Sequence, residues 1–256
     1  MHKIGCTSAE HRSKFHVLHS VCTIFAVGGR VLPGKVTMMK KLAIIILATL
    51  ACAQWPALAA GGGAPAVGRA LCSEPGRVFA DLTANARAEM LAYYIGGSVV
   101  PKDTDLGEKA RLDTVTNDYL RITTSACRSV QLRLLTKGSR DTVVAVIETV
   151  KTPVPDSRIS FYDTKWRELS AKKVMGHLPG LTDFVRRGTD AKKAADALGN
   201  VDFPMITLDF EGEGHGTLVA RQRLKEFYSA SDYKRLAPVL TDEVRYAVSG
   251  TKLVRQ

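Results

Sequence analysis

Four side chains able to ligate a cation recur at every second position late in the chain: Asp209, Glu211, Glu213 and His215. In an extended segment all four would project from one face, and three carboxylates with an imidazole suit a divalent metal. Gly212, Gly214 and Gly216 alternate with them. Glycine adopts the dihedrals that bend a chain, so the same stretch also reads as an acidic hairpin connection that scatters its ligands. His177 and His215 are the two histidines beyond residue 59, and either, beside a carboxylate, could serve as the base of a small hydrolase or join a metal site. Such chemistry needs a positioned nucleophile. The sequence has no Gly-x-Ser-x-Gly elbow, no His-Glu-x-x-His helix and no phosphate-cradling glycine loop. No catalytic residue is assigned and no cofactor is implied.

A second constellation is the mixed-charge group Asp156, Arg158, Asp163 and Lys165 with Trp166. It could form a binding surface, and the same residues are the types that pair locally and fix turns, with the indole closing the end of a core. Two cysteines, Cys72 and Cys127, lie in the folded part of the chain. In an oxidising compartment a bridge between them would contribute about 4 kcal/mol by the chain-entropy argument, and two free thiols are the other reading.

That compartment is suggested by the N-terminal region. Met39-Lys40-Lys41, the apolar run Leu42 to Leu50, Pro56 and the small residues Ala57 to Ala60 follow the layout of a signal peptide over 38–59, cleaved between Ala59 and Ala60. The run is too short to span a bilayer. A lipoprotein anchored at Cys52 is the alternative, weakened by Thr49 where an aliphatic residue is expected. Residues 1–37 precede this segment without periodicity and read as a mis-assigned upstream extension. The full chain carries 36 Lys and Arg against 25 Asp and Glu; seven of the former and one of the latter precede Ala60, which leaves a modest net charge of +5. No block of five like charges occurs, so the balance reads as a solvated surface, and nucleic-acid binding is opposed by the expected export and supported by no motif.

The elements that would position these residues follow from hydrophobic spacing. Gly61 to Pro65 opens a flexible tether over 60–76. Phe79, Leu82, Ala86, Met90 and Tyr93 recur at helical spacing from Arg77, with Gly96-Gly97 as the stop. Pro101 to Asp113 is read as a loop with at most one helical turn. From Asp118 to Leu169, alternating apolar residues predict four strands in close succession, and Val143 to Ile147, apolar throughout, marks a central one. Short connections favour antiparallel neighbours. The fold class is therefore α+β: an antiparallel β-meander covered by an N-terminal helix over 77–169, followed by a smaller α+β half over 170–256 packed on the first. In that second half the sequence predicts a helix from Asp190 to Gly199, strands over Met205 to Phe210 and Thr217 to Arg221, and a closing hairpin across Ser249-Gly250.

Residues Val115 to Leu120, the strand Leu132 to Leu135, the run Asp156 to Asp163 with Trp166, and the region Tyr233 to Tyr246 together resemble a family of exported Bacteroidales proteins known as domain of unknown function 3256. The resemblance runs from about Val78 to the end and implies an exported α+β protein facing the periplasm. It supplies no catalytic residue, cofactor or substrate. The expectation is an uncharacterised, noncatalytic cell-envelope module that binds a protein or an envelope polymer, with no transmembrane span after cleavage. The alternative is a small periplasmic hydrolase or metal-binding protein built on His177 or His215.

Overall fold

The computed structural model describes residues 64–137 and 141–256. The expected upstream extension, the signal segment with its cleavage site, the Cys52 anchor, the first residues of the tether and the turn at 138–140 lie outside the described residues.

Seven strands form one antiparallel meander in sequence order: β1 (Lys102–Asp103), β2 (Lys109–Val115), β3 (Tyr119–Thr123), β4 (Arg128–Lys137), β5 (Asp141–Val150), β6 (Asp156–Tyr162) and β7 (Glu168–Leu169). The four strands expected between Asp118 and Leu169 are its centre. The segment expected to be a loop, 101–113, instead supplies β1 and most of β2, with Leu112 opposite Ile122. Only Ala110 and Leu112 mark its inner face, too few apolar positions for the alternation to show.

Side chains alternate across this sheet, and both faces are covered. Leu120, Ile122, Val130, Leu132, Val144 and Val146 meet two helices, α1 (Ala66–Ser73) and α2 (Ala84–Ile95). Leu135, Ala145, Ile147, Ile159 and Phe161 face the second half of the chain. That half comprises α3 (Ala171–Met175), a 3-10 turn (Leu181–Phe184), α4 (Ala191–Leu198), β8 (Ile206–Glu211), β9 (Thr217–Gln222), α5 (Leu224–Phe227), α6 (Ala230–Leu236), β10 (Glu243–Ser249) and β11 (Lys252–Arg255). Its four strands make a second antiparallel sheet in the order β11-β10-β9-β8. The α+β class holds, with sheet packed on sheet and helices on the outer face of the first.

Helix α1 corrects the expectation of a flexible tether over 60–76. Val67 and Leu71 are fully buried, and Gly68 lies so close to Leu91 that an added Cβ would sit 2.7 Å from it. Helix α2 starts later than its spacing suggested. Thr83 caps it, its hydroxyl accepting from Ala86 N at 3.2 Å, and residues 74–82 form an irregular link. The link is organised by two buried charges. The Glu74 carboxylate accepts from the backbone N–H groups of Gly76, Arg77 and Val78 at 2.5–2.9 Å. Arg87 donates to the carbonyls of Leu71, Leu82 and Glu74 and lies 3.4 Å from the Glu74 carboxylate.

The edge strand β8 crosses the first sheet, where its open backbone groups meet side chains. Phe210 N donates to Gln131 Oε1 at 3.2 Å, and Ile206 N donates to Asp156 Oδ1 at 2.9 Å. Among the described residues no helix is long and apolar enough to cross a membrane.

Candidate functional site

Alternation on the second sheet sends Ile206, Leu208 and Phe210 inward and places Asp209 and Glu211 on the outer face of β8. The four residues with metal-like spacing are not brought together. Asp209 pairs with Arg121 of β3. Glu211 takes a two-pronged contact from Arg221 at 2.5 and 2.8 Å, which holds its carboxyl below the usual range. Gly212 and Gly214 adopt positive φ and turn the chain out of the strand, leaving Glu213 exposed. His215 stacks on Tyr119 with ring centroids 3.7 Å apart, its Nδ1 3.2 Å from the Phe210 carbonyl. Among the described residues no three His, Cys, Asp or Glu side chains converge as a metal site.

The mixed-charge group is likewise divided. Asp156 is engaged with the β8 edge, and Asp163 Oδ1 accepts from Lys165 N and Arg167 N at 2.8 and 2.9 Å, shaping the β6–β7 hairpin. Arg158 and Lys165 are exposed. Trp166 occupies a left-handed position in the 163–167 connection of that hairpin (φ 59°), a place that ordinarily takes glycine. Its ring is buried and its Nε1–H donates to Ser73 Oγ at 3.2 Å. The ring forms part of a cavity of about 310 Å³ under α1, shared with Arg69, Ser73, Leu134 and Thr142. Cys72 and Cys127 are both free thiols, Cys72 half-buried with its thiol pushed up by burial, Cys127 exposed.

Free charge gathers elsewhere, in a groove of about 580 Å³ that the sequence did not announce. Its wall is the stretch after the 3-10 turn. Thr241 N donates to Phe184 O at 2.7 Å, Val185 bridges Leu240, and Arg186 N donates to Val239 O at 2.9 Å. This short ladder fixes Arg186 and Arg187 along the groove, and Gly188 at φ 82° ends it. Arg245 from β10 and Arg255 from β11 complete the lining. Arg245 is held by Glu243 at 2.7 and 2.8 Å, and Arg255 by Asp183. Arg186 and Arg187 are exposed, and no salt bridge reaches either among the described residues.

Asp183 anchors this groove from beneath. It is 5% exposed, and its carboxylate accepts from Gly180 N at 2.9 Å and from Arg255 Nη1 at 3.1 Å. His177 Nε2 lies 2.9 and 3.1 Å from its two oxygens, with the imidazole mostly exposed. A buried carboxylate that orients an exposed imidazole is half of a nucleophile-activating relay. No serine, threonine or cysteine side chain hydrogen-bonds His177 among the described residues. The same carboxylate ties the 177–183 loop to the C-terminal strand. Nearby, Tyr246 is buried with its hydroxyl unpartnered, and burial, then the charge of Asp183, pushes its pKa up to about 12 against the opposing effect of Arg255.

Of the residues singled out from sequence, His177 alone borders this assembly. The Arg186-Arg187 pair was visible as a dipeptide, but its partners Arg245 and Arg255 are brought to it only by the pairing of β10, β11 and the 185–187 ladder.

The solved structure of a domain of an uncharacterized protein from Porphyromonas gingivalis W83 is similar to this chain, with 24% identity and a TM-score of 0.64, over 75% of this chain and 98% of that one. At that identity the likeness speaks for the fold. No curated protein matches the chain. The family model described as Protein of unknown function (DUF3256) matches residues 64–252, a span that includes α1, the first sheet and the second sheet as far as the start of β11, and the chain accordingly belongs to that family.

Proposed function

We propose that the chain is an exported cell-envelope protein that works as a noncatalytic binding module, holding an acidic envelope polymer or protein against the arginine-lined groove. The observation that carries this reading is the pair Arg186 and Arg187, exposed beside Arg245 and Arg255 on a concave surface and without a carboxylate partner among the described residues. Guanidinium groups fixed in a groove bind carboxylate, sulfate or phosphate in forked pairs, and an unpaired exposed arginine has no internal salt bridge to give up. Export is supported by the signal-like order of basic, apolar and small residues over 38–59.

The test is titration of the protein with an acidic and a matched neutral polymer. The double substitution Arg186→Gln and Arg187→Gln is expected to weaken binding to the acidic polymer at least tenfold, which is about 1.4 kcal/mol, while leaving the melting temperature unchanged. Equal affinity of the variant and the original protein would remove the groove from the binding surface. Recovery of the protein from the cytoplasmic fraction with residues 38–59 intact would remove the export reading.

A second reading, a small hydrolase based on His177, is favoured by one observation: the exposed imidazole set on buried Asp183. Turnover of an ester or amide substrate that is lost in His177→Ala, with the fold retained, would support it over the binding module.

A further inference from the structure

The groove does not end at Arg186. That side chain also lines a second concavity of about 420 Å³, whose other basic residues are Arg221, Arg223 and Lys225. Two basic grooves therefore meet at one arginine and form a continuous tract across the end of the second sheet. Seven basic side chains line the two together, against four acidic ones.

The acidic residues are informative. Asp183 is buried beneath the first groove, but Glu243 in the first and Glu226 and Asp242 in the second are accessible, Glu243 beside Arg245 and Arg221 and Glu226 beside Arg223, so carboxylates are interspersed with the arginines along the tract. A polymer with closely spaced phosphates would meet these carboxylates as like charges. A chain whose anionic groups are separated by hydroxyl-bearing rings would instead place its carboxylates on the guanidinium groups and donate hydroxyl hydrogen bonds to the protein's carboxylates. The second groove also offers an aromatic ring, Tyr233, held in place as its hydroxyl accepts from Gln222 Nε2 at 3.2 Å. Aromatic faces pack well on the apolar faces of such rings.

Building on the groove reading above, we infer that the tract binds an acidic polysaccharide lengthwise, with Arg186 as the joint between two successive subsites. Simultaneous occupation of two linked subsites raises affinity through effective concentration, so affinity must climb with chain length until both are filled.

The experiment is calorimetric titration of the protein with galacturonic acid oligomers from dimer to dodecamer. Neutral dextran, inorganic polyphosphate and single-stranded DNA serve as comparison polymers. The expected result is a rise in affinity of tenfold or more from dimer to dodecamer and no binding of dextran. Both phosphate polymers should bind more weakly than the dodecamer. Arg186→Gln and Lys225→Gln are each expected to flatten the length dependence, with unchanged melting temperatures confirming the fold, whereas Lys151→Gln in the exposed β5–β6 connection preserves it. Galacturonate binding that is independent of length would overturn the continuous tract and leave the single groove standing. Tighter binding of polyphosphate or DNA than of the dodecamer would overturn the polysaccharide class. Failure of every anionic polymer to bind would sink both this inference and the groove reading on which it rests.

Discussion

Arg87 and Glu74 show how much of the fold can depend on one buried ion pair. Both are nearly inaccessible, and their hydrogen bonds hold the irregular link between α1 and α2. Removing one partner of such a pair leaves the other charge buried and unpaired. Arg87→Ala is therefore expected to lower stability by about 3–5 kcal/mol, read as a reduced midpoint in urea. Tyr246 makes the opposite case. Its buried hydroxyl has no partner among the described residues, so Tyr246→Phe is expected to raise stability at neutral pH by about 1 kcal/mol. The sign at high pH follows from the raised pKa. The unfolded tyrosine loses its proton near pH 10 and the folded one near 12, so its contribution is complete below about 10 and is lost as the pH rises through about 12. Tyr246→Phe should accordingly flatten the alkaline limb of a pH titration of the melting temperature. Neither role was legible in the sequence. Arg87 sits beside apolar Ala86 and reads as a solvent-facing helix position, because hydrophobic spacing counts carbon and is blind to a charge that finds buried partners.

At the level of elements, legibility followed the density of the apolar alternation. Strands β3 to β6 could be read because their inward positions are large and regular, and α4 because Asp190 and Gly199 mark its ends. The hydroxyl-free logic of such caps is visible in the structure, where Asp190 Oδ1 accepts from Lys193 N at 3.0 Å. Helix α1 could not be read, since four of its eight residues are alanine, glycine or serine and its docking depends on the absence of a side chain at Gly68. For Asp209, Glu211, Glu213 and His215 the sequence left two readings open, a metal-like row and a glycine-bent connection, and the positive φ of Gly212 and Gly214 is where the chain turns out of the strand. The edge of β8 was not legible, as its protection comes from side chains distant in sequence. Gln131 accepts from Phe210 N and from the Tyr119 hydroxyl at 3.2 Å. Gln131→Leu, which keeps the volume but leaves Phe210 N without a partner, is expected to cost about 1–3 kcal/mol. Hydrogen exchange at the Phe210 amide should accelerate in that variant, and unchanged protection would show that the edge is closed by other means.

For the molecule as a whole, the consequential fact is that one hydrophobic core is shared by both sheets. Phe161 and Ile159 from the first sheet lie in the same cluster as Phe210, Leu218 and Tyr246 from the second. Neither sheet can separate without exposing that cluster, so residues 64–256 are expected to unfold in one transition, with far-UV circular dichroism and tryptophan fluorescence superimposing in urea. Two resolved transitions would mean that the halves are thermodynamically independent. The shared core also explains why the arginine groove escaped a reading by segments. Its four arginines come from the 3-10 turn exit, β10 and β11, and their convergence is a product of tertiary pairing.

Trp166 offers a use that its packing alone does not suggest. It is the one tryptophan among the described residues, and its indole N–H is bonded to Ser73 at the end of α1 while its backbone belongs to the β6–β7 hairpin. Its emission is therefore a built-in gauge of whether the N-terminal helix is seated on the sheet, so undocking of that helix can be followed by light from a residue already present, without attaching a dye to either element.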